Sequence, residues 1–527
     1  MKRIVVTVAA LVLAGFLGTA QAQQPGKTLT IGISGETTSL YPNWFVTTPN
    51  QQVMSHIFNN LVEMDADNKP RPALAESWRP IDDKTWEFKL RKDVKFHDGT
   101  PFTADHVIAT FDHSKTIEGV GSSAGAYVRS KTYTKVDDHT IHISAGKPYP
   151  LLPNEMSVLY IYPRAASVDD FNAGKAMVGT GPYKFKEWIK GDRLVLERNA
   201  DYWGEKPEWD RVVFKVITAG PSRVAALLNG DVDVIDYVPT PDVPRLKSDP
   251  KITVSSRAGE RIFLLAIDSN RDISPYVFDN DRKPLHPNPL KDWRVRKAMS
   301  MAINRQAIVD RIMDGQAQAA GQIATPGMFG HNPDLQPEKF DADGAKKLLA
   351  AAGYPNGFRL TLHGPNDRYV NDAKVTEALG SMLSRIGIQT EVVTLPRAVY
   401  FTRMGTGGER GTPEFSAHLV GFGTATGETM SQHWMLLHSE DKANALGHFN
   451  FGRYTNLRLD AMLGEAIRTL DDGKREVLLK DIGAQYMRDV AAIPLYWQVN
   501  VWAMRKGLTF PPRLMEVTHA MSIRSTP

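Results

Sequence analysis

The chain has 527 residues, 42% of them hydrophobic and 23% charged, with a mean hydropathy of −0.31. This length suits two to four folded lobes, and the composition excludes a disordered chain, a collagen-like chain and a polytopic membrane protein. Lysine and arginine total 63 against 59 acidic residues, a formal charge of +4 that gives no electrostatic footprint for nucleic acid or an anionic membrane. There are no cysteines, so disulfides, thiolate metal sites and cysteine nucleophiles are excluded.

Lys2 and Arg3 precede an uncharged apolar run over 4–17, and Ala20-Gln21-Ala22 closes it with small residues. This is the three-part pattern of a secretory signal, too short to span a bilayer. Cleavage is expected to leave Gln23 first, and without a cysteine after the run no lipid anchor is expected. A strand is predicted over 29–33, and Thr85–Leu90 alternates Trp86, Phe88 and Leu90 with Glu87 and Lys89, the period of a half-buried strand. Thr103 is placed to cap a helix through Val107, Ile108 and Phe111. Strands follow at Thr140–Ser144, 183–188, 193–197 and 212–217. Ser222 is read as the cap of a helix ending at Asn229-Gly230, with a strand over 232–238. Residues 262–267 form a near-continuous apolar run, as in a strand buried on both faces.

Between 271 and 291 four prolines and several charges mark a boundary loop. Helices are then predicted at 295–303, 306–313, 342–352, Asp372–Arg385 and 475–486, interleaved with strands at 359–362, 390–394 and 415–420. That alternation indicates a second α/β lobe with parallel pairing. The C-terminal region reads as two strands, 492–497 and 501–504.

Gly121-Ser122-Ser123-Ala124-Gly125 matches a nucleophile-elbow string, but lacks the strand before and the helix after that the elbow requires, and reads as a loop. Asp341-Ala342-Asp343-Gly344 begins like a calcium loop without the later acidic ligands, and reads as a helix start. The 14 histidines show no ligand spacing. No catalytic or cofactor constellation emerges, so neither enzyme activity nor a cofactor or metal is expected. Aromatic residues outside regular apolar periods are the positive signal, among them Trp44, Tyr369, Phe422, Trp434 and Trp497. A cleft that holds an organic solute uses such flat apolar walls with a few directed polar groups.

Residues 72–105 contain Leu74-Ala75-Glu76-Ser77-Trp78, Trp86-Glu87-Phe88-Lys89-Leu90-Arg91 and Lys95-Phe96-His97-Asp98-Gly99. With Gly179-Thr180-Gly181-Pro182-Tyr183, Asn199-Ala200-Asp201-Tyr202-Trp203, Val295-Arg296-Lys297-Ala298 and Ala302-Ile303-Asn304-Arg305, this series resembles the dipeptide/oligopeptide/nickel class of extracytoplasmic solute-binding proteins, family 5. The resemblance implies an α/β periplasmic-binding-protein fold of three lobes around a central cleft. Lobe I would be discontinuous (23–55, 176–270 and 495–527), lobe II an insertion (56–175) and lobe III residues 271–494. Two chain crossings, near 270–280 and 490–497, would act as hinges.

The resemblance also implies a monomer in the periplasm that captures a small peptide-like or other polar organic solute and delivers it to the membrane permease of an ATP-binding-cassette importer. A nickel or metal-chelate binder of the same fold is the alternative, and a secreted hydrolase a more distant one. Peptide-binding members carry a Gly-Trp block and then an aspartate for the peptide ammonium. Here the block reads Gly421-Phe422-Gly423-Thr424-Ala425-Thr426-Gly427-Glu428, with Ala425 at the aspartate position. Peptides with a free amine are therefore expected to bind weakly, unless Glu428 or Asp372 supplies the carboxylate. Arg368, beside Tyr369, is a candidate clamp for a ligand carboxylate. The candidate ligand-binding set is Trp44, Arg368, Tyr369, Asp372, Phe422, Gly423, Thr424, Thr426, Glu428, Trp434 and Trp497.

Overall fold

The computed structural model describes residues 26–44, 48–117, 124–424, 426–441 and 446–526. The signal-like segment, Gly121 to Ser123 of the elbow-like string, and Ala425 lie outside the described residues. The architecture is built on one twelve-stranded mixed sheet and a separate four-stranded one. Two strands of unusual length form the spine of the large sheet: Ile252–Ile267, with 16 residues, and Ala492–Arg505, with 14. They pair antiparallel along most of their length.

One end of this pair joins an N-terminal unit. Val234–Ile235 adds to Ala492–Arg505, Thr28–Ile33 adds parallel to it, and Arg211–Val216, Arg193–Arg198 and Tyr183–Ile189 follow. The other end joins a C-terminal unit, in which Ala417–Phe422 pairs with Ile262 through Ile267, and Phe358–Pro365 lies parallel to both Ala417–Phe422 and Ile388–Leu395. The second α/β region predicted from sequence, with its parallel pairing, is thus present, and the N-terminal unit also contains parallel pairs. The two crossings lie within the long strands, and the break in their pairing falls between Ala258 and Ile262, short of the 270–280 region expected from sequence.

The four-stranded sheet orders Ala75–Pro80, Thr85–Leu90, Thr140–Ser144 and Thr132–Asp137, all antiparallel. Phe88, Leu90, Ile141 and Ile143 bury one face against the helix Ala104–Lys115, which presents Val107 and Phe111. Thr103 caps that helix as expected, its backbone N–H donating to His106 Nδ1 at 3.1 Å.

Several boundaries differ from the sequence reading. The helix Gly220–Asn229 starts two residues before Ser222, because Pro221 suits its first turn, and it ends at Gly230 with φ +81°. The strand expected over 232–238 is only Val234–Ile235, since Asp236 turns to accept a bond from the Ser34 N–H at 2.9 Å. Pro-rich 271–291 contains a short strand, Val277–Phe278, paired to the edge of the sheet. The two C-terminal strands are one, Ala492–Arg505, whose polar Gln498 and Asn500 are buried.

Candidate functional site

Where the long strands cross between the two units, Ala258 opposes Val499 and Ile262 opposes Trp497. Gly259, Glu260 and Arg261 therefore face a single residue, Gln498, and the strand bulges. A bulge of this kind re-aims side chains and is common beside functional sites. Here it turns two ionisable groups toward the junction of the units.

Arg261 Nε and Nη2 donate to Glu516 Oε1 and Oε2 at 3.1 and 2.9 Å, a two-point pair of fixed orientation. The Tyr237 hydroxyl donates to Glu516 Oε2 at 2.5 Å, and Gln498 Nε2 donates to Oε1 at 2.8 Å. Burial alone would raise the pKa of Glu516; the Arg261 charge and these donors outweigh it and hold the carboxyl at about 2. Glu260 has the opposite balance. Its Oε2 accepts from Asn68 Nδ2 at 2.7 Å, and burial pushes its carboxyl up to about 8 in spite of Arg261. The Tyr369 ring lies edge-on to Phe263 and donates its hydroxyl to the Gly421 carbonyl at 2.9 Å.

Beside Glu516 lies a small pocket that opens to solvent. Tyr237, Val238 and Asn500 line it from the N-terminal unit, and Met313, Gln316 and Val370 from the C-terminal unit. Apolar and hydrogen-bonding walls supplied from both sides are what a solute cleft between lobes requires.

The structure gathers part of the residue set singled out from sequence. Tyr369, Gly423 and Thr424 lie against Glu260, Arg261 and Phe263; a Cβ on Gly423 would come 3.2 Å from Glu260 Oε1. Arg368 is exposed, its guanidinium 4.7 Å from the centre of the Tyr369 ring. Thr424 and Thr426 hydroxyls meet Ser431 Oγ at 2.6 and 2.9 Å, so they bind their own loop. Phe422 packs on Phe449, edge to face. Trp434 stacks on Tyr149 of the insertion at 6.0 Å, and Asn154 of the insertion donates to the Thr426 carbonyl at 2.9 Å.

Four positions depart from the sequence reading. Asp372 is buried and accepts backbone N–H bonds from Arg368, Tyr369 and Ala373, because the chain enters its helix through Asn371 at φ +56° and needs those donors satisfied. Glu428 is buried against Arg475 at 3.0 Å. Neither carboxylate faces the cleft as a spare anchor. Trp497 is a core residue whose indole N–H donates to the Ile323 carbonyl at 3.1 Å. Trp44 packs against the separate core of Leu29, Tyr41 and Phe58. Sequence reasoning passed over Glu260, Arg261, Gln498 and Glu516. The available signal was Gln498 and Asn500 at period two inside an apolar run, and two charges immediately before another.

Among the described residues no helix is long and apolar enough to cross a membrane, and no three His, Asp or Glu side chains are grouped to hold a metal ion. The family model for bacterial extracellular solute-binding proteins, family 5 (middle region) matches residues 69–444. Heme-binding protein A of Haemophilus influenzae is 28% identical over 80% of this chain and 78% of its own. The probable D,D-dipeptide-binding periplasmic protein DdpA of Escherichia coli is 27% identical over 97% of both chains. The solved structure of HbpA2 from Haemophilus parasuis superposes with a TM-score of 0.79 at 25% identity, covering 95% of this chain and all (100%) of that one. The lobed α/β fold, the cleft between its units and a match over most of the chain agree: this chain belongs to the bacterial extracellular solute-binding proteins, family 5.

Proposed function

We propose that this protein is the solute-binding component of an ATP-binding-cassette importer. It is exported by the segment 1–22, works as a periplasmic monomer, and hands a small polar organic solute to a membrane permease. Its lobes in this reading are lobe I (23–55, 176–270 and 495–527), lobe II (56–175) inserted in it, and lobe III (271–494), with the two long strands running between lobes I and III. The observation that carries this reading is the cavity between the units, which is lined from both and bordered by the buried Arg261–Glu516 pair. A solute that touches both walls stabilises the closed arrangement by the affinity it lacks for the open one. The hydrogen-bonding wall of Gln316, Gln498 and Asn500 favours a peptide-like solute, the class named for the Escherichia coli relative. Arg368 and Tyr369 at the rim suit the anionic end of such a molecule.

Native mass spectrometry of protein purified without unfolding tests this directly. A bound small molecule of discrete mass, released on activation and absent after refolding, is expected. Protein that carries no such mass, and that no peptide or polar solute stabilises against heat, would contradict it.

A further inference from the structure

Besides the long strands, a side-chain contact links the two units. Thr240, in the short helical turn Thr240–Asp242 of the N-terminal unit, is buried and reaches the C-terminal unit with its hydroxyl. Its Oγ1 donates to Asp314 Oδ2 at 2.8 Å and accepts from Asn371 Nδ2 at 3.1 Å. Asp314 stands in the turn before the short strand Ala317–Ala319, and Asn371 at the start of the helix Asp372–Arg385. One hydroxyl thus uses both its donor and an acceptor site across the boundary, which fixes its orientation as an aliphatic contact would not.

The backbone on both sides of this contact is unusual. Asp314 has φ +49°, Asn371 φ +56°, and Tyr237, three residues before Thr240, φ +44°. Such left-handed backbone is uncommon outside glycine; aspartate and asparagine accept it most readily, tyrosine less so. Each is tied down. Arg223 donates from Nη2 to the Tyr237 carbonyl at 2.7 Å and from Nε to the Asp236 carbonyl at 3.1 Å. Gln316 Nε2 donates to the Asp314 carbonyl at 3.1 Å, and Asn371 Nδ2 also reaches the Ile312 carbonyl at 2.7 Å. Backbone of this kind persists where its surroundings over-determine it, and it gathers at ligand clamps and switch regions. Here it flanks one contact between units, next to a pocket that Tyr237, Thr240, Met313 and Val370 line.

The contact exists only with the units together. When they part about the break in strand pairing, the hydroxyl, the carboxylate and the amide exchange these bonds for water. The net effect of two such bonds on the ratio of open to closed forms is about tenfold, so the solute's own contacts still decide closure.

We propose that Thr240, Asp314 and Asn371 form a latch that favours the closed arrangement of the two units and so sets how tightly the protein holds its solute. The proposal rests on the importer reading and names a regulator of its cleft. Asp314 and Asn371 are not among the pocket-lining residues, so they act through closure, as positioning residues.

The chain has no cysteine, so two introduced ones take nitroxide labels at known places: Lys206→Cys on the N-terminal unit and Lys346→Cys on the C-terminal unit, both exposed. Pulsed electron paramagnetic resonance then reads the distance between the units in protein freed of solute by unfolding and refolding. Thr240→Val should raise the ratio of long to short distances by about tenfold, and Thr240→Ser, which keeps the hydroxyl, should match the parent. Asn371→Asp should raise it at least as far, since two carboxylates then meet at one hydroxyl. Aspartate tolerates left-handed backbone and suits a helix start, so this variant carries the test even where Thr240→Val fails to fold. Identical distributions in the parent and the folded variants, or Thr240→Ser behaving as Thr240→Val, would overturn the latch. A small molecule released in native mass spectrometry would then leave the importer reading standing, and its absence together with identical distributions would count against both.

Discussion

Replacing Arg261 by methionine leaves Glu516 buried with only Tyr237 and Gln498 as donors. Removing one partner of a buried ion pair costs about 3–5 kcal/mol, because the remaining charge is uncompensated. Urea denaturation of Arg261→Met at pH 7 should show a loss of that order, and Arg261→Met with Glu516→Leu should recover part of it. The two carboxyls also make opposite contributions to the pH dependence. Glu516 titrates at about 2 in the fold against 4.5 as its ordinary value, so its stabilisation is present above about pH 4.5 and is lost as pH falls toward 2. Glu260 titrates at about 8 against the same 4.5, so stability falls as pH rises from about 4.5 to 8. Melting curves of Glu260→Gln should therefore flatten the alkaline side of this profile and leave the acid side in place. A parent-like decline between pH 5 and 8 in that variant would contradict the placement of Glu260.

At the scale of elements, the turn before the strand Tyr183–Ile189 shows why a short motif is fixed. A Cβ on Gly179 would lie 1.9 Å from the Ile57 carbonyl oxygen, and one on Gly181 2.5 Å from that of His56. The end of the helix Thr48–Ile57 rests directly on this turn, and the Gly181 N–H donates to the Ile57 carbonyl at 2.9 Å. Gly179→Ala must displace backbone, so a loss of about 3 kcal/mol is expected by chemical denaturation. An unchanged midpoint would contradict that contact. Most elements were legible because their apolar periods are local: Thr85–Leu90, Thr140–Ser144 and Asp372–Arg385 fall where periodicity placed them. The strand Ala492–Arg505 was read as two because Gln498 and Asn500 interrupt its apolar run. Those side chains are polar for a tertiary reason, bonding Glu516 and the Leu514 carbonyl across the junction, which periodicity cannot register. The site was legible in the same partial way. Tyr369, Gly423 and Thr424 stand in recognisable segments, whereas Glu260 is defined by a bulge, a turn at 65–69 and a loop at 423–424 that are distant in sequence.

For the whole molecule, the decisive feature is that, among the described residues, the N-terminal and C-terminal units share one continuous sheet through two strands, Ile252–Ile267 and Ala492–Arg505. Their pairing breaks between Ala258 and Ile262, beside the cavity. A strand pair with a local irregularity bends there at lower cost than elsewhere, so bending on ligand binding is expected beside the cavity. The insertion adds a second contact across the opening, with Tyr149 stacked on Trp434 and Asn154 bonded to the Thr426 carbonyl. Solute in the cleft should then shift the population from open to closed, and the closed form is the one a permease would recognise. Small-angle scattering on protein freed of bound solute, with and without a saturating ligand, tests this account most directly. A smaller radius of gyration with ligand is the predicted result, and an unchanged radius in a sample shown by calorimetry to be saturated would contradict it.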